Sequence, residues 1–248
     1  MSIDPVLVPS ATDIIKIWIA DLCAVDIAAG YLLLSEAEQQ RAGRIVIPAE
    51  RRRMIARRTV LRSLLGDEFA VPPASLELER RCDQCGKYHP APIVSQERRD
   101  CHWSTSSVDD MFVMATAPMP IGIDIESADA TTSWHQVAQR YYTADEVSAI
   151  GASSEVFTQF WAYKEAFLKG EGVGLVGGLD RLCCTRFRQD EGIWMTSEQH
   201  SAWRFTPLRD MPKGFAGAVA VRGPALPLVT LSAGGGTLWR RLDDSNDG

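Results

Sequence analysis

The sequence predicts an α+β protein of two similar α/β lobes, and three observations predict it. Period-two apolar runs at Ile14–Ile19 and Ile121–Ile125 open two separate series of elements. Each series has amphipathic helices with their own start and stop signals, mixed with further strand patterns. Between the two series, Pro118 and Pro120 break the apolar pattern and mark a boundary. The expected division is residues 1–117 for the first lobe, 118–222 for the second and 223–248 for a loosely ordered tail. At 248 residues the chain is long enough to give each lobe a core.

Composition narrows the class. With 46% hydrophobic and 23% charged residues, the chain is neither disordered nor fibrous. A net charge of −6 argues against a dedicated nucleic-acid binder. The opening MSIDPVLVPS lacks a basic segment followed by an apolar core, and no apolar run approaches the ~20 residues of a membrane helix. The expectation is a cytoplasmic protein without a membrane partner. Six cysteines are too few for a disulfide scaffold at this length and are expected as thiols.

In the first half, Ile15, Ile17 and Ile19 alternate with Lys16 and Trp18, which reads as a strand. Ser35 with Glu38 is a capping box that opens a helix ending near Pro48. A second helix follows from about Ala49 to Leu65, with Met54, Leu61, Leu64 and Leu65 on one face and Gly66 as its expected stop. Eight arginines, Arg41, Arg44, Arg51, Arg52, Arg53, Arg57, Arg58 and Arg62, fall within 22 residues, with Glu50 the one acid among them. They read either as a solvated basic face or as an anion site, in which Arg53 and Arg57, one turn apart, grip a single phosphate.

After Pro72 and Pro73 comes a strand-like SLELER and then CDQCGKYHPAP. Cys82, Cys85 and His89, with Cys101 or His102, supply the residue types of a zinc knuckle, but one Cys-x-x-Cys is a weak pattern. Cysteines flanking a Gly-containing turn are the favoured expectation. HWSTSS from His102 to Ser107 reads as a short strand ending in a hydroxyl-rich turn, followed by an apolar strand from Met111 to Ala117.

The second half opens on Ile121–Glu126. Period two puts Ile121, Ile123 and Ile125 on one face and Gly122, Asp124 and Glu126 on the other, where Gly122 leaves room for close approach. A helix over Ser133–Tyr142 precedes a Thr143–Glu146 capping box and a short helix. A long helix from about Glu155 to Lys169 then runs into a turn with Gly170, Gly172 and Gly174. Strands are expected at Leu179–Phe187, Ile193–Thr196, Trp203–Thr206 and Phe215–Val221.

The chemistry concentrates on two of these elements. Trp161, Glu165 and Lys169 are spaced four apart and project from one side of their helix. An exposed Asp-x-Glu strand face and a surface Glu–Lys pair, worth only about 0.3–0.5 kcal/mol, would explain each alone. Together, Asp124, Glu126 and Glu165 are hard oxygen donors of the kind magnesium takes, with substrate phosphates completing its shell. Lys164 and Lys169 add positive charge for phosphate oxygens. The combination points to phosphoryl-type transfer.

These residues also carry a family resemblance. GIDIE, followed downstream by F-x-x-F-W-x-x-K-E-A-F-x-K-x-x-G-x-G-L, resembles the signature of 4′-phosphopantetheinyl transferases, specifically the monomeric, two-lobed Sfp (surfactin) type. Arg140-Tyr141-Tyr142 followed by Glu146 is similar to the family's R-F-F…E element. The resemblance runs from about Ser35 to Leu175. It implies a pseudo-twofold fold and transfer of the phosphopantetheine arm of coenzyme A to a serine of an apo acyl- or peptidyl-carrier protein, releasing adenosine 3′,5′-bisphosphate. It further implies that Asp124, Glu126 and Glu165 hold magnesium, with manganese as the alternative. Lys169 then binds phosphate oxygens, Lys164 assists the departing bisphosphate, and Glu165 accepts the serine proton. Arg41 falls where the family places a basic residue and Arg53 lies near its adenosine 3′-phosphate contacts, and Arg57, Ser104 and Thr105 are expected to join them at the coenzyme.

Two positions depart from the family pattern. Thr105 stands where the family's S-H-S/T turn has its histidine, and Pro90-Ala91-Pro92 replaces G-K-P without its lysine. Both lie in the coenzyme-binding half and bear on coenzyme affinity more than on the metal chemistry. Two other classes stay open on the sequence: a non-catalytic coenzyme A or carrier-protein binder, motivated by these losses, and a metal-dependent nuclease, motivated by the acid-x-acid strand with nearby lysines.

Overall fold

The computed structural model describes residues 14–81, 88–90, 101–128, 134–173, 178–190, 193–196, 202–209, 211–224, 226–233 and 240–241. The first half runs β1 (Ile15–Asp21), α1 (Ile27–Tyr31), α2 (Glu36–Arg44), α3 (Pro48–Phe69), the short pair β2 (Glu79–Arg81) and β3 (Tyr88–Pro90), then β4 (His102–Val108) and β5 (Met111–Ala117). The second runs β6 (Ile121–Ser127), α4 (Trp134–Tyr141), α5 (Ala144–Ile150), α6 (Ser154–Glu171), β7 (Phe187–Asp190), β8 (Ile193–Thr196), β9 (Trp203–Pro207), β10 (Phe215–Arg222), β11 (Leu228–Ala233) and β12 (Arg240–Arg241). Among the described residues no helix is long and apolar enough to cross a membrane.

Local signals do what their chemistry requires. Ser35 Oγ accepts from the Glu38 N–H while Glu38 Oε2 accepts from the Ser35 N–H, and the Thr143–Glu146 box is closed in the same way. Met54, Leu61, Leu64 and Leu65 all face inward from α3. Gly66 is not its stop: the helix continues to Phe69 and ends where Ala70 turns left-handed at φ 53°. The glycine serves packing instead, since a Cβ there would lie 2.9 Å from the Val71 carbonyl oxygen.

Two five-stranded sheets form, in the orders β12-β11-β1-β5-β4 and β6-β10-β9-β8-β7. Each is covered on one face by its long helix. Trp18, Ala20, Phe112 and Met114 of the first sheet pack on Ala56, Val60, Leu61 and Leu64 of α3. Phe205, Ala218 and Ala220 of the second pack on Ala162, Ala166 and Phe167 of α6. The opposite faces meet each other: Ile15, Ile17, Val113 and Ala115 share one core with Ile121, Ile123, Ile125, Val219 and Val221. Both isoleucine faces read from the sequence are therefore buried against one another, and the halves are not independent bodies.

Two expectations are corrected and a third is given its partner. The segment after Arg222 is not a loose tail, because β11 adds to the first sheet parallel to β1, with Leu228 opposite Ile15 and Leu231 opposite Trp18. The first sheet thus takes strands from both ends of the chain, with β6–β10, between residues 118 and 222, making up the second sheet. Leu179–Phe187 is not a strand: Leu179–Arg181 and Cys184–Arg186 are single 3-10 turns, and the Leu179 and Leu182 carbonyls accept from a buried ammonium described below. Gly122 does give close approach, but to α6. A Cβ there would lie 1.9 Å from the Ala166 carbonyl oxygen and 2.5 Å from the Gly170 nitrogen.

That last contact positions the site. With Gly122 beneath Ala166 and Gly170, the α6 backbone lies directly on β6. Glu165 and Lys169 are thereby carried to the carboxylate side of the strand.

Candidate active site

β6 is the edge of the second sheet and β4 the edge of the first, and hydroxyls of β4 join them. Ser104 Oγ accepts from the Ile123 N–H at 3.1 Å, and Ser106 Oγ donates to Asp124 Oδ1 at 2.8 Å. From the other side, Lys169 Nζ reaches the same Oδ1 at 2.7 Å and the carbonyls of Thr105 and Ile123 at 3.3 Å each. One lysine of α6 therefore touches both sheet edges and the carboxylate between them.

The three carboxylates share a buried neighbourhood. Asp124 is 2% exposed and Glu165 9%, and each has an oxygen without a hydrogen-bond partner, Asp124 Oδ2 and Glu165 Oε1. Glu126 Oε1 accepts from the Trp161 indole N–H at 3.2 Å. Burial raises the pKa of all three, and the Asp124 charge adds to the rise at Glu165 and at Glu126, which is pushed to about 7. Lys169 opposes the rise at each.

A second feature adjoins this group. A cavity of about 490 Å³ is lined by Arg41, Arg57 and Arg58 from α2 and α3, by Thr105, Ser106 and Ser107 from β4, and by Lys169. Arg57 Nη1 donates to Ser107 Oγ at 3.1 Å. Four cationic side chains around one cavity next to a carboxylate cluster suit a polyanion that also carries a cation. On the Glu126 side lies a smaller apolar pocket of about 150 Å³, walled by Trp134, Val137, Phe157 and Trp161.

The predicted residues divide accordingly. Asp124, Glu126, Glu165, Lys169, Thr105, Arg41 and Arg57 come together at the carboxylates or around the adjoining cavity. Arg53 does not join Arg57 on one phosphate. Its guanidinium is held by Glu50 at 2.8 Å and Asp110 at 3.2 Å, because the β4–β5 turn brings Asp110 against that part of α3. Ser104 is spent on the bond to β6. Arg62 does not belong to a solvated face: it is 1% exposed and paired with Glu38 at 2.7 Å. Cys82 and Cys85 lie outside the described residues, as does the side chain of His89.

Lys164 is the largest correction. It is fully buried, its ammonium 2.9 Å from Glu146 Oε1 and bonded to the carbonyls of Leu179 and Leu182. Glu146 also accepts from the Cys184 N–H at 2.8 Å while closing its capping box. One residue along a helix is a rotation of about 100°. Glu165 thus faces the site and Lys164 faces the core, where it ties α5, α6 and the 3-10 turns together.

Sequence reasoning passed over Ser106 and Ser107. The pattern HWSTSS predicts a hydroxyl-rich turn at its end, but β4 runs on to Val108, and its meeting with β6 and α3 gives Ser106 to Asp124 and Ser107 to Arg57.

As a set of donors, Asp124, Glu126 and Glu165 fit a hard divalent cation. Two buried oxygens lack a partner, and burial raises the pKa of all three carboxylates, which a nearby cation would oppose as Lys169 does. Among the described residues no three Asp, Glu, His or Cys side chains already stand at ligating distance, and Lys169 and Ser106 both hold Asp124 Oδ1.

Comparison with known proteins finds a family model and several relatives to which the chain is similar. A model of the 4′-phosphopantetheinyl transferase superfamily matches residues 120–220, from β6 through α6 to β10. The chain is 29% identical over 150 residues to the 4′-phosphopantetheinyl transferase HetI of a Nostoc species, covering 57% of this chain and 61% of that one. It is 25% identical over 204 residues to the 4′-phosphopantetheinyl transferase Sfp of Bacillus subtilis, covering 78% and 90%. It is also 25% identical over 208 residues to the human L-aminoadipate-semialdehyde dehydrogenase-phosphopantetheinyl transferase, covering 75% and 66%.

Proposed function

We propose that the chain is a member of the 4′-phosphopantetheinyl transferase superfamily and that it moves the phosphopantetheine arm of coenzyme A to a serine of an apo acyl- or peptidyl-carrier protein. The observation that carries this reading is the juxtaposition of the Arg41–Arg57–Arg58–Lys169 cavity with the Asp124–Glu126–Glu165 carboxylates. It offers cations to the phosphates of coenzyme A at one end and ionisable acceptors at the other. The apolar pocket beside Glu126 suits the pantetheine arm, which is uncharged and flexible.

In this reading Arg41, Arg57 and Arg58 hold the nucleotide phosphates, and the Thr105 hydroxyl donates where a histidine would add charge. Asp124, Glu126 and Glu165 hold magnesium or manganese, which supplies charge neutralisation at the pyrophosphate. The carrier serine Oγ attacks the pantetheine-side phosphorus. A new P–O bond forms, the bond to the adenosine 3′,5′-bisphosphate breaks, and Glu165 takes the serine proton. Lys169 balances charge on the departing group from its place on Asp124. Lys164 has no part in these steps and acts through the fold.

The chain works in this reading as a cytoplasmic monomer whose halves are related by a pseudo-twofold axis. Two five-stranded sheets, each with one long helix, and α3 and α6 both reaching the cavity, support the pseudo-twofold part of that reading.

Incubation with coenzyme A, magnesium and an apo carrier protein is expected to add one phosphopantetheine to the carrier by intact mass and to release adenosine 3′,5′-bisphosphate in equal amount. Removing Arg57 deletes a charge-assisted contact of about 1.5–3 kcal/mol and should raise the KM for coenzyme A by roughly 10- to 100-fold. Folded protein that binds coenzyme A but modifies none of several carriers would refute the catalytic reading in favour of a binder.

A further inference from the structure

Lys169 projects from the weakest part of its helix. It lies in the last turn of α6, followed directly by Gly170, Glu171 and the left-handed cap Gly172 at φ 72°. Carbonyls of a last turn have no partner further along the helix, and such turns fray. Glycine disfavours a helix more than any residue but proline, and a carboxylate at a helix C-terminus opposes the macrodipole. Yet the Lys169 ammonium is set on Asp124 Oδ1 at 2.7 Å and reaches the Thr105 and Ile123 carbonyls.

Trp203 of β9 supplies a restraint on this turn. The residue is 2% exposed, and its indole N–H donates to Glu171 Oε1 at 3.0 Å. The far rim of the ring lies on Gly170, where a Cβ would stand 2.5 Å from Cη2 and 2.7 Å from Cζ3. Phe167, one turn back, meets the same indole edge-on at 5.4 Å between centroids. Gly122 of β6 closes on the turn as well, its nitrogen 3.2 Å from that Cβ position. Gly170 and Glu171, both unfavourable on helix grounds, are thus the two residues that Trp203 holds.

We propose that Trp203 is a positioning residue for Lys169: by pinning Gly170 and Glu171 it keeps the last turn of α6 wound and the ammonium on Asp124, at the edge of the arginine-lined cavity. Its effect on the reaction rests on the transferase reading, in which Lys169 balances charge on the departing group. Misplacing such a group by about 1 Å costs up to ~100-fold in rate.

Trp203→Phe keeps an aromatic ring in the core, withdraws the far rim from Gly170 and deletes the N–H. Without any ligand, the Gly172 and Val173 amides, which donate to the Lys169 and Leu168 carbonyls, should exchange with deuterium about 10- to 100-fold faster, while the mid-helix Ala162 amide keeps its wild-type protection. Equal acceleration along all of α6, or none at the two amides, overturns the proposal. Glu171→Gln keeps an acceptor for the indole and should retain wild-type exchange at both amides, whereas Glu171→Ala should resemble Trp203→Phe. With coenzyme A, magnesium and an apo carrier, Trp203→Phe should lower kcat about 10- to 100-fold. In a Lys169→Met background the same substitution should lower kcat by no more than about twofold, because the group it positions is gone. Losses that multiply refute the route through Lys169. A wild type that transfers nothing would count against the transferase reading, while the exchange result still decides whether Trp203 holds the turn.

Discussion

Replacing Lys164 by methionine separates the two roles a lysine next to Glu165 could have. Methionine fills much the same volume but removes the ammonium and leaves Glu146 buried, charged and without its cation. Breaking a buried ion pair by removing one partner costs about 3–5 kcal/mol. The two carbonyl bonds to Leu179 and Leu182 are lost as well, freeing the 3-10 turns they hold. For a chain of this size roughly 2–4 °C of melting midpoint accompanies each kcal/mol, so a fall of about 6–20 °C is expected. Pairing Lys164→Met with Glu146→Gln removes the stranded charge and should recover part of that loss. The assay is calorimetric melting of the two single variants and the double, with transfer measured well below each midpoint. If Lys164→Met melts within about 2 °C of the wild type yet transfers nothing, the ammonium serves chemistry and the assignment to the fold is refuted.

Two further outcomes follow from the site itself. In chelator, Glu126→Gln should change the pH dependence of stability: the folded-state pKa of Glu126 is raised from 4.5 to about 7, so its contribution is fully present below pH 4.5 and lost as pH rises through 7. The variant's melting midpoint should therefore gain on the wild type between pH 5 and 8, and parallel curves would show that the carboxylate is not raised. Gly122→Ala sets a Cβ against the α6 backbone and should cost more than the ~1–3 kcal/mol of ordinary overpacking, seen as a fall of more than about 6 °C or as insoluble protein.

Much of this architecture is written locally. Capping boxes at Ser35 and Thr143, the inward stripe of Met54, Leu61, Leu64 and Leu65, and the alternation in Ile121–Glu126 depend on backbone period and nearest neighbours alone. The same holds for the pairing of Glu165 with Lys169 on one side of α6, which four-residue spacing enforces wherever the helix lies.

What only the tertiary structure decided are choices between positions that local patterns leave equivalent. α6 buries Ala162, Tyr163, Lys164, Ala166, Phe167 and Leu168 around most of its girth, so no apolar stripe told which of Lys164 and Glu165 faces the site. The partner that claims Lys164, Glu146, comes from another helix, and the strand β11 that completes the first sheet lies more than 200 residues from β1 in the chain. Asp110 and Ser107 sort Arg53 from Arg57 in the same way, through strands that meet α3 only after folding. Helical and strand periods fix directions relative to an element's own axis; which direction becomes core and which becomes site is fixed by what packs against it.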